Sequence, residues 1–497
     1  IDAIVGTMKW SKKLLHAITV TFVESGDIDV ATERVHAREQ INRLFSFNRG
    51  LPAELSEDLV EDLFGDANTD EDGAPTKEHV EEITLPTTRN YYEQRPKEES
   101  NWWSRFLATD QIKANAKNVS HPTGIEFRGL FAVPYEIFEE LVFITLDRGW
   151  YDPNRTDCRG RKCHDVRLLI LGSLAVMKDN ATRLMNQTNT NISGICHDTF
   201  YSHWCKKMAE SKEDWIAVPK NDDSLALVSR DYETHYNLVG CIGSMDVVKI
   251  GWDKCPISLL HLFKGKEGYP TIGFNVVTSH RREILNVSIG FPGSRNDKTV
   301  VKVDEFPNEL NRGRHWLRGK TWYTKRKNGS VSRFRGCYMI CDGGYLRWPS
   351  LICPCPHDSN ESVRDLANVI MSCRKDVECT FGILKKRFKC LKNWSERKNY
   401  DLICNQFVTC CIIHNMLLKH DGYLSEAYSP HDFKNIQGKL GDGLQVDRAA
   451  VFLSGAGTED EDVTPQDEVG WKQRIDALAE HQEIERARRK KEGRQDG

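Results

Sequence analysis

Leu238-Val239-Gly240-Cys241-Ile242-Gly243-Ser244-Met245-Asp246 is the stretch that decides how the rest of the chain is read. A short run of apolar and small residues reads as a buried strand, and this one ends on a carboxylate. A second such run, Cys337 to Cys341, ends on Asp342 and is followed by Gly343-Gly344-Tyr345. Between them lie the strand-like runs Thr271 to Thr278 and Glu283 to Ile289, joined by Ser279-His280-Arg281-Arg282. A polar link of that length reads as an antiparallel hairpin. Trp322 to Lys327 and Val331 to Phe334 flank Asn328-Gly329, a pair favoured in type I′ turns. Helical patterns follow at Arg374 to Leu391 and Leu402 to Leu418. In the first, Val377, Phe381, Leu384, Phe388 and Leu391 repeat at helical spacing, and Glu378 borders that apolar seam. Strands first, then helices, predict an α/β domain with a mixed sheet flanked by helices.

Working outward, the chain of 497 residues is long enough for several domains at roughly 100–200 residues each. Residues 1–100 read as an acidic, largely disordered region, with a helix or two between Leu14 and Phe47. From Glu54 to Glu82 there are twelve acidic residues and one lysine, a composition that stays solvated. Residues 101–230 read as helical. Phe127 to Val142 and Leu168 to Met177 carry apolar residues at helical spacing. Asn189 to Met208 holds a polar turn followed by Phe200, Trp204 and Met208. Helix, turn, helix is compatible with a DNA-binding unit, and equally with a scaffold packed on the next domain. Residues 231–420 hold the α/β domain. Residues 421–497 read as a flexible tail ending in a charged helix, Trp471 to Lys491, whose last part is strongly basic.

The exclusions are few. No run of about 18 apolar residues marks a membrane span. Trp10-Ser11-Lys12-Lys13 interrupts the apolar run at the start, so no signal peptide is expected. Many of the 16 cysteines lie in apolar segments, as Cys404, Cys410 and Cys411 do, where thiols act as small hydrophobes; a reducing compartment is expected. Cys353-Pro354-Cys355-Pro356-His357 lacks the paired spacing of a zinc site and reads as a rigid loop.

Asp246 and Asp342 stand where a rigid sheet fixes them. Two carboxylates held close repel unless a cation neutralises them, and a hard divalent ion with oxygen ligands does so. With Glu378, they form the type of donor set that activates water in phosphodiester chemistry. Singly, each residue has a commoner reading: the aspartates as turn formers, the glutamate as surface charge.

Together, the motifs resemble the PIF/Harbinger family of DDE transposases and its domesticated, nuclease-like relatives. The likeness covers about residues 100–420 and rests on motifs in the family's order. They are Phe127-Arg128-Gly129-Leu130-Phe131, Gly243-Ser244-Met245-Asp246, Gly268-Tyr269-Pro270-Thr271 and Pro292-Gly293-Ser294-Arg295-Asn296-Asp297. Further on come Cys341-Asp342-Gly343-Gly344-Tyr345, Arg374-Lys375-Asp376-Val377-Glu378 and Cys411-Ile412-Ile413-His414-Asn415-Met416. The resemblance implies an RNase H-like catalytic core in which Asp246, Asp342 and Glu378 are both the catalytic residues and the metal ligands. It implies Mg2+ or Mn2+, two ions, cleaving and joining DNA at transposon ends in the nucleus. Asp297 is expected to cap the helix that starts near Lys298, and is the first alternative as an auxiliary metal ligand. The partners implied are DNA at terminal inverted repeats, a Myb-like DNA-binding protein and further copies of the chain, with no membrane. The rival expectation is a domesticated protein that uses the fold to bind DNA or protein without transposing.

A DNA surface is expected where Asn311 to Arg335 gathers nine Lys and Arg and no acidic residue. Of these, Arg318, Lys320, Lys325, Arg326, Lys327, Arg333 and Arg335 are the cations expected to contact DNA, and Trp316, Trp322, Tyr323 and Phe334 are interleaved with the stretch. Lys385 and Lys386 add charge on the Glu378 helix. The alternative is a solvated hairpin.

Overall fold

A computed structural model of the chain describes residues 96–156, 160, 162–393, 395–424 and 463–492, all within one compact unit. The helices expected near Leu14 to Phe47, the acidic run Glu54 to Glu82 and the stretch 425–462 lie outside the described residues.

A six-stranded mixed sheet organises the protein. Its main order is β3-β2-β1-β7-β8, with β4 paired to β2. Strand β1 (Cys241–Gly251) lies in the middle. Its neighbour β2 (Thr271–Thr278) is antiparallel to it, as is β3 (Ile284–Val287) to β2. On its other side β7 (Tyr338–Ile340) runs parallel, and β8 (Leu351–Ile352) runs parallel to β7. The short β4 (Phe291–Pro292) completes the sheet. Alternation sends neighbouring side chains to opposite faces: Val276 joins one buried apolar cluster and Val277 the other.

The first cluster also holds the helical N-terminal part. Helices α1 (Asp110–Lys117), α2 (Pro122–Phe131), α3 (Tyr135–Asp147), α4 (Val166–Asp179), α5 (Arg183–Thr190) and α6 (Gly194–Glu210) contribute Phe127, Phe138, Leu141, Leu171 and Trp204 to it. The single helix expected from Phe127 to Val142 is broken between α2 and α3. Ala132 turns left-handed at φ 63° and Pro134 opens α3, because proline disfavours helical backbone in the residue before it. Helices α5 and α6 are joined by a three-residue turn, with Asn191 left-handed and Ser193 capping α6. The buried face of α6 does not stand apart from the sheet domain. Tyr201 donates to Gln406 at 2.6 Å, and the Cys205 carbonyl accepts from Thr409 at 3.3 Å. Helix α7 (Asp222–Tyr236) then leads into β1.

After β4 come two short helices, α8 (Asp297–Val303) and α9 (Glu305–Asn311), and then a separate hairpin, β5 (Thr321–Lys325) with β6 (Val331–Arg335). Its turn is not the two-residue type I′ expected. Lys325 pairs with Val331, and of Asn328-Gly329 only the glycine has positive φ, +80°. The Asn328 carboxamide instead accepts from Ser330 N at 2.9 Å, a side-chain turn that competes with I′ geometry.

Three longer helices close the structure: α10 (Glu361–Arg387), followed by the short α11 (Lys389–Lys392); α12 (Tyr400–His420); and α13 (Pro465–Glu492). Helix α10 starts well before Arg374, because Val363, Leu366, Ile370, Cys373 and Val377 continue its buried stripe toward the N-terminus. By length and composition α12 is apolar enough to cross a membrane, but Ile403 to Leu418 are buried in the domain core. Two neighbouring polar residues near its C-terminal end, His414 and Asn415, are fully engaged. Asn415 accepts from Ile284 N at 2.9 Å and donates to the Ile284 and Trp215 carbonyls at 2.8 and 2.9 Å. His414 lies between Arg387, 3.2 Å from Nδ1, and the Arg282 carbonyl, 2.9 Å from Nε2. Since arginine only donates, Nδ1 is the acceptor and the proton is on Nε2.

Helix α13 falls in the stretch expected to be a flexible tail with a charged helix at its end. The structure packs it on the sheet domain through Trp471, Ile475 and Leu478, spaced four and three apart and all buried. Trp471 donates to the Leu351 carbonyl of β8 at 3.1 Å.

A carboxylate pocket held by an arginine

Asp246 lies inside β1, paired with Val276 of β2, and not at a strand exit as expected. Val247, Val248 and Ile250 extend the strand past it, because β2 continues to pair as far as Gly251. Asp342 follows the end of the adjacent β7, and Gly344 N donates to its Oδ1 at 3.1 Å. Glu378 projects from α10. The three expected residues therefore come from the two central parallel strands and the helix beside them.

Two of them, Asp246 and Glu378, are joined by a residue that sequence reasoning did not single out. Arg374, one helical turn before Glu378, donates to Asp246 Oδ2 at 3.1 Å and to Glu378 Oε1 at 2.6 Å. Its side chain is 12% exposed, against 21% for Asp246 and 31% for Glu378. The Arg-x-x-x-Glu spacing was the available signal, since residues four apart share a helix face. Tyr345 was also missed as a contact; its hydroxyl stands 3.4 Å from Asp246 Oδ1, which accepts from Val247 N at 2.8 Å.

The electrostatics mark a pocket with surplus negative charge. Burial pushes the Asp246 carboxyl up to about 7, against the pull of Arg374, and Asp297 and Asp342 push it further the same way. Burial also raises Asp297; Lys266 and Lys249 oppose this, and Asp342 adds to it. Although burial works against its charge, Arg374 is held more firmly protonated by Asp246, Glu378 and Asp342.

Asp297 is not the helix cap. That role belongs to Asn296, whose side chain accepts from Thr299 N at 2.8 Å. Asp297 is the first residue of α8, close enough to Asp246 and Asp342 for its charge to be felt by both. Among the described residues, no group of three or more His, Cys, Asp or Glu side chains is placed to hold a metal ion. The donor chemistry nevertheless suits a hard cation: carboxylate oxygens whose mutual repulsion one guanidinium only partly offsets.

The expected DNA cations are distributed differently. The β5–β6 hairpin leads into the start of β7, whereas Asp342 lies beyond its end. Gly240, at φ +82°, lets the Trp322 ring pack directly on the backbone there. Lys320 pairs with Asp222, Lys325 with Glu485 at 2.7 Å and Lys327 with Glu483 at 2.7 Å, the last two across to α13. Arg318 donates to the Gly313 carbonyl and Arg326 to Ser332. Arg333 and Arg335 are exposed on the outer face beside Tyr323, with no carboxylate partner among the described residues. Lys385 donates to the Lys249 carbonyl at 3.3 Å, and burial lowers its pKa; Lys386 is exposed. Cys353 faces Cys341, their sulfurs 3.5 Å apart.

The fold and pocket define a mixed α/β protein, a mixed sheet flanked by helices, with acidic side chains gathered at its central strands. A family model described as "Plant transposon protein" matches residues 219–425, which takes in the whole sheet and all four carboxylates. That match supports a transposase-related family. No curated protein and no solved structure matches the chain.

Proposed function

We propose that this chain is a DDE-type transposase or nuclease of the PIF/Harbinger kind, which cleaves and joins DNA phosphodiesters at transposon ends. The observation that carries the reading is that Asp246, at the centre of the sheet, shares Arg374 with Glu378 and feels the charges of Asp342, after the adjacent parallel strand, and Asp297. Three antiparallel strands continued by two parallel ones is the strand order expected of an RNase H-like core, and the family match covers this region. Asp246, Asp342 and Glu378 would hold Mg2+ or Mn2+, with Asp297 as the auxiliary ligand. Bound there, such ions polarise the phosphate and lower the pKa of a water. The protein's own part is to fix the carboxylates on a rigid sheet and to keep them partly shielded from solvent. Lys249 and Lys266 lie on the Asp297 side, where a phosphate would gain from their charge. The outer hairpin face with Arg333, Arg335 and Tyr323 is proposed to run along flanking DNA. Terminal inverted repeats, a Myb-like partner, self-association and a nuclear location belong to the same proposal.

The test is Mg2+-dependent nicking of duplex DNA by the full chain and by Asp246→Asn, Asp342→Asn and Glu378→Gln. Each substitution is expected to cut the rate by more than about a hundredfold, since even outer-shell partners of a metal carry ten to a hundred, with the circular dichroism spectrum unchanged. Undiminished nicking by the triple variant would overturn the assignment.

A further inference from the structure

Asp246 has little acceptor capacity left. Its Oδ1 faces Val247 N and the Tyr345 hydroxyl, and its Oδ2 is taken by Arg374. Glu378 offers Oε1 to the same guanidinium. One planar cation thus spans a strand and a helix and uses the oxygens a shared metal ion would need. We propose that Arg374 is a built-in counter-cation that occupies the place of a divalent ion between Asp246 and Glu378, so that a metal binds there only by displacing it. The inference rests on the metal-site reading above and deepens it.

Three features carry the argument. The spacing is fixed by helix geometry: a residue four positions before Glu378 lies over the same face, and a long side chain there reaches past it to β1. The guanidinium cannot leave by losing its proton, because arginine stays charged in proteins. It can leave only by rotating about its side-chain bonds. Finally, the exchange keeps a cation between the acids: a divalent ion in place of the guanidinium brings one more unit of positive charge to carboxylates that repel one another. A pocket that holds Asp246, Asp342, Glu378 and Asp297 is left with strong repulsion if Arg374 swings out and nothing replaces it. Closing the pocket in the metal-free protein and opening it to metal are therefore the same movement of one side chain. Apparent metal affinity is reduced by the fraction of molecules in which Arg374 holds the pocket closed.

The experiment is Mn2+ binding to the full-length protein without DNA, followed by the electron paramagnetic resonance signal of free Mn2+. Wild type is compared with Arg374→Gln, Arg374→Lys and Asp246→Asn, each checked for folding by circular dichroism. Arg374→Gln is expected to bind Mn2+ at least about tenfold more tightly than wild type, the factor carried by one charge-assisted hydrogen bond. Arg374→Lys, which keeps charge but not the two-pronged reach, is expected to fall between them. The metal-free Arg374→Gln protein should melt lower than wild type and gain more from Mn2+. Unchanged or weaker binding by Arg374→Gln, with binding still lost in Asp246→Asn, overturns the counter-cation role and leaves the metal site standing. Should Asp246→Asn make no difference to Mn2+ binding in any background, the metal-site reading falls and this inference with it.

Discussion

Two polar regions inside the domain differ in how well their groups are matched, the Asp246 pocket and the His414–Asn415 cluster. Both bring together groups more than a hundred positions apart, and both involve arginines of α10. In the second, polar groups and partners match: Asn415 uses both ends of its carboxamide, and His414 accepts on one nitrogen and donates on the other. In the first, acids outnumber the cation between them, and the Asp246 carboxyl is driven up to about 7. A buried polar group whose partners match its capacity stabilises a fold. One that is left with surplus charge costs stability and is available for chemistry. The contrast separates two motifs that look alike in sequence, each a short polar insert in an apolar run.

The contrast can be broken by substitution. The largest expected effect is at Asn415. Asn415→Ala removes three hydrogen bonds and strands buried backbone groups at Ile284, which should cost about 3–5 kcal/mol at roughly 1–3 kcal/mol per stranded group. Urea unfolding measures it; a loss below about 1 kcal/mol would erase the distinction. Asp246→Asn, by comparison, is expected to keep or raise the unfolding midpoint at pH 7, because it removes a carboxylate whose ionisation costs stability there, while abolishing nicking.

Acid should also separate the two regions. Burial, aided by Arg387, pulls His414 down to about 3. A histidine depressed on folding contributes stability that is fully present above its unfolded pKa near 6.5 and is lost as pH falls toward 3. At pH 5 the loss should be about 2 kcal/mol, at 1.36 kcal/mol per pH unit. His197, pulled down to about 4 by burial, loses stability in the same direction. Asp246 acts oppositely: raised on folding, it weakens the protein as pH climbs from about 4 to 7. Urea midpoints of wild type and His414→Gln at pH 5 and pH 7 check this, and the variant should show the smaller acid loss.

The smallest expected effect is at adjacent residues. Asn296→Ala should cost about 1 kcal/mol as a lost cap. Asp297→Asn should cost little stability, and instead weaken Mn2+ binding. If the costs came out reversed, Asp297 would be the structural residue after all.

Much of this was legible in the chain. The apolar runs before Asp246 and Asp342 announced β1 and β7, and the seam from Val377 to Leu384 placed Glu378 at the edge of a buried face. Other features depend on partners far away in sequence. Nothing local says that β1 runs on through a carboxylate to Gly251; that follows from pairing with β2. Nothing local assigns the cap of α8 to Asn296 over Asp297, since either side chain suits that position. Arg374 looked like one charge in a charged helix until Asp246 stood opposite it. The cations of the β5–β6 hairpin read as free because the glutamates that pair with Lys325 and Lys327, Glu485 and Glu483, come more than 150 residues later.

The placement of α13 bears on how the protein is made. β8 is the outer strand on its side of the sheet, and it is only two residues long. The helix that covers it through Trp471 is separated from it by more than a hundred positions. During synthesis, the sheet, the pocket and the hairpin all emerge before the segment that covers this flank. Until Trp471, Ile475 and Leu478 arrive, the nascent domain shows an open strand and bare apolar surface, the features that recruit chaperones or neighbouring chains.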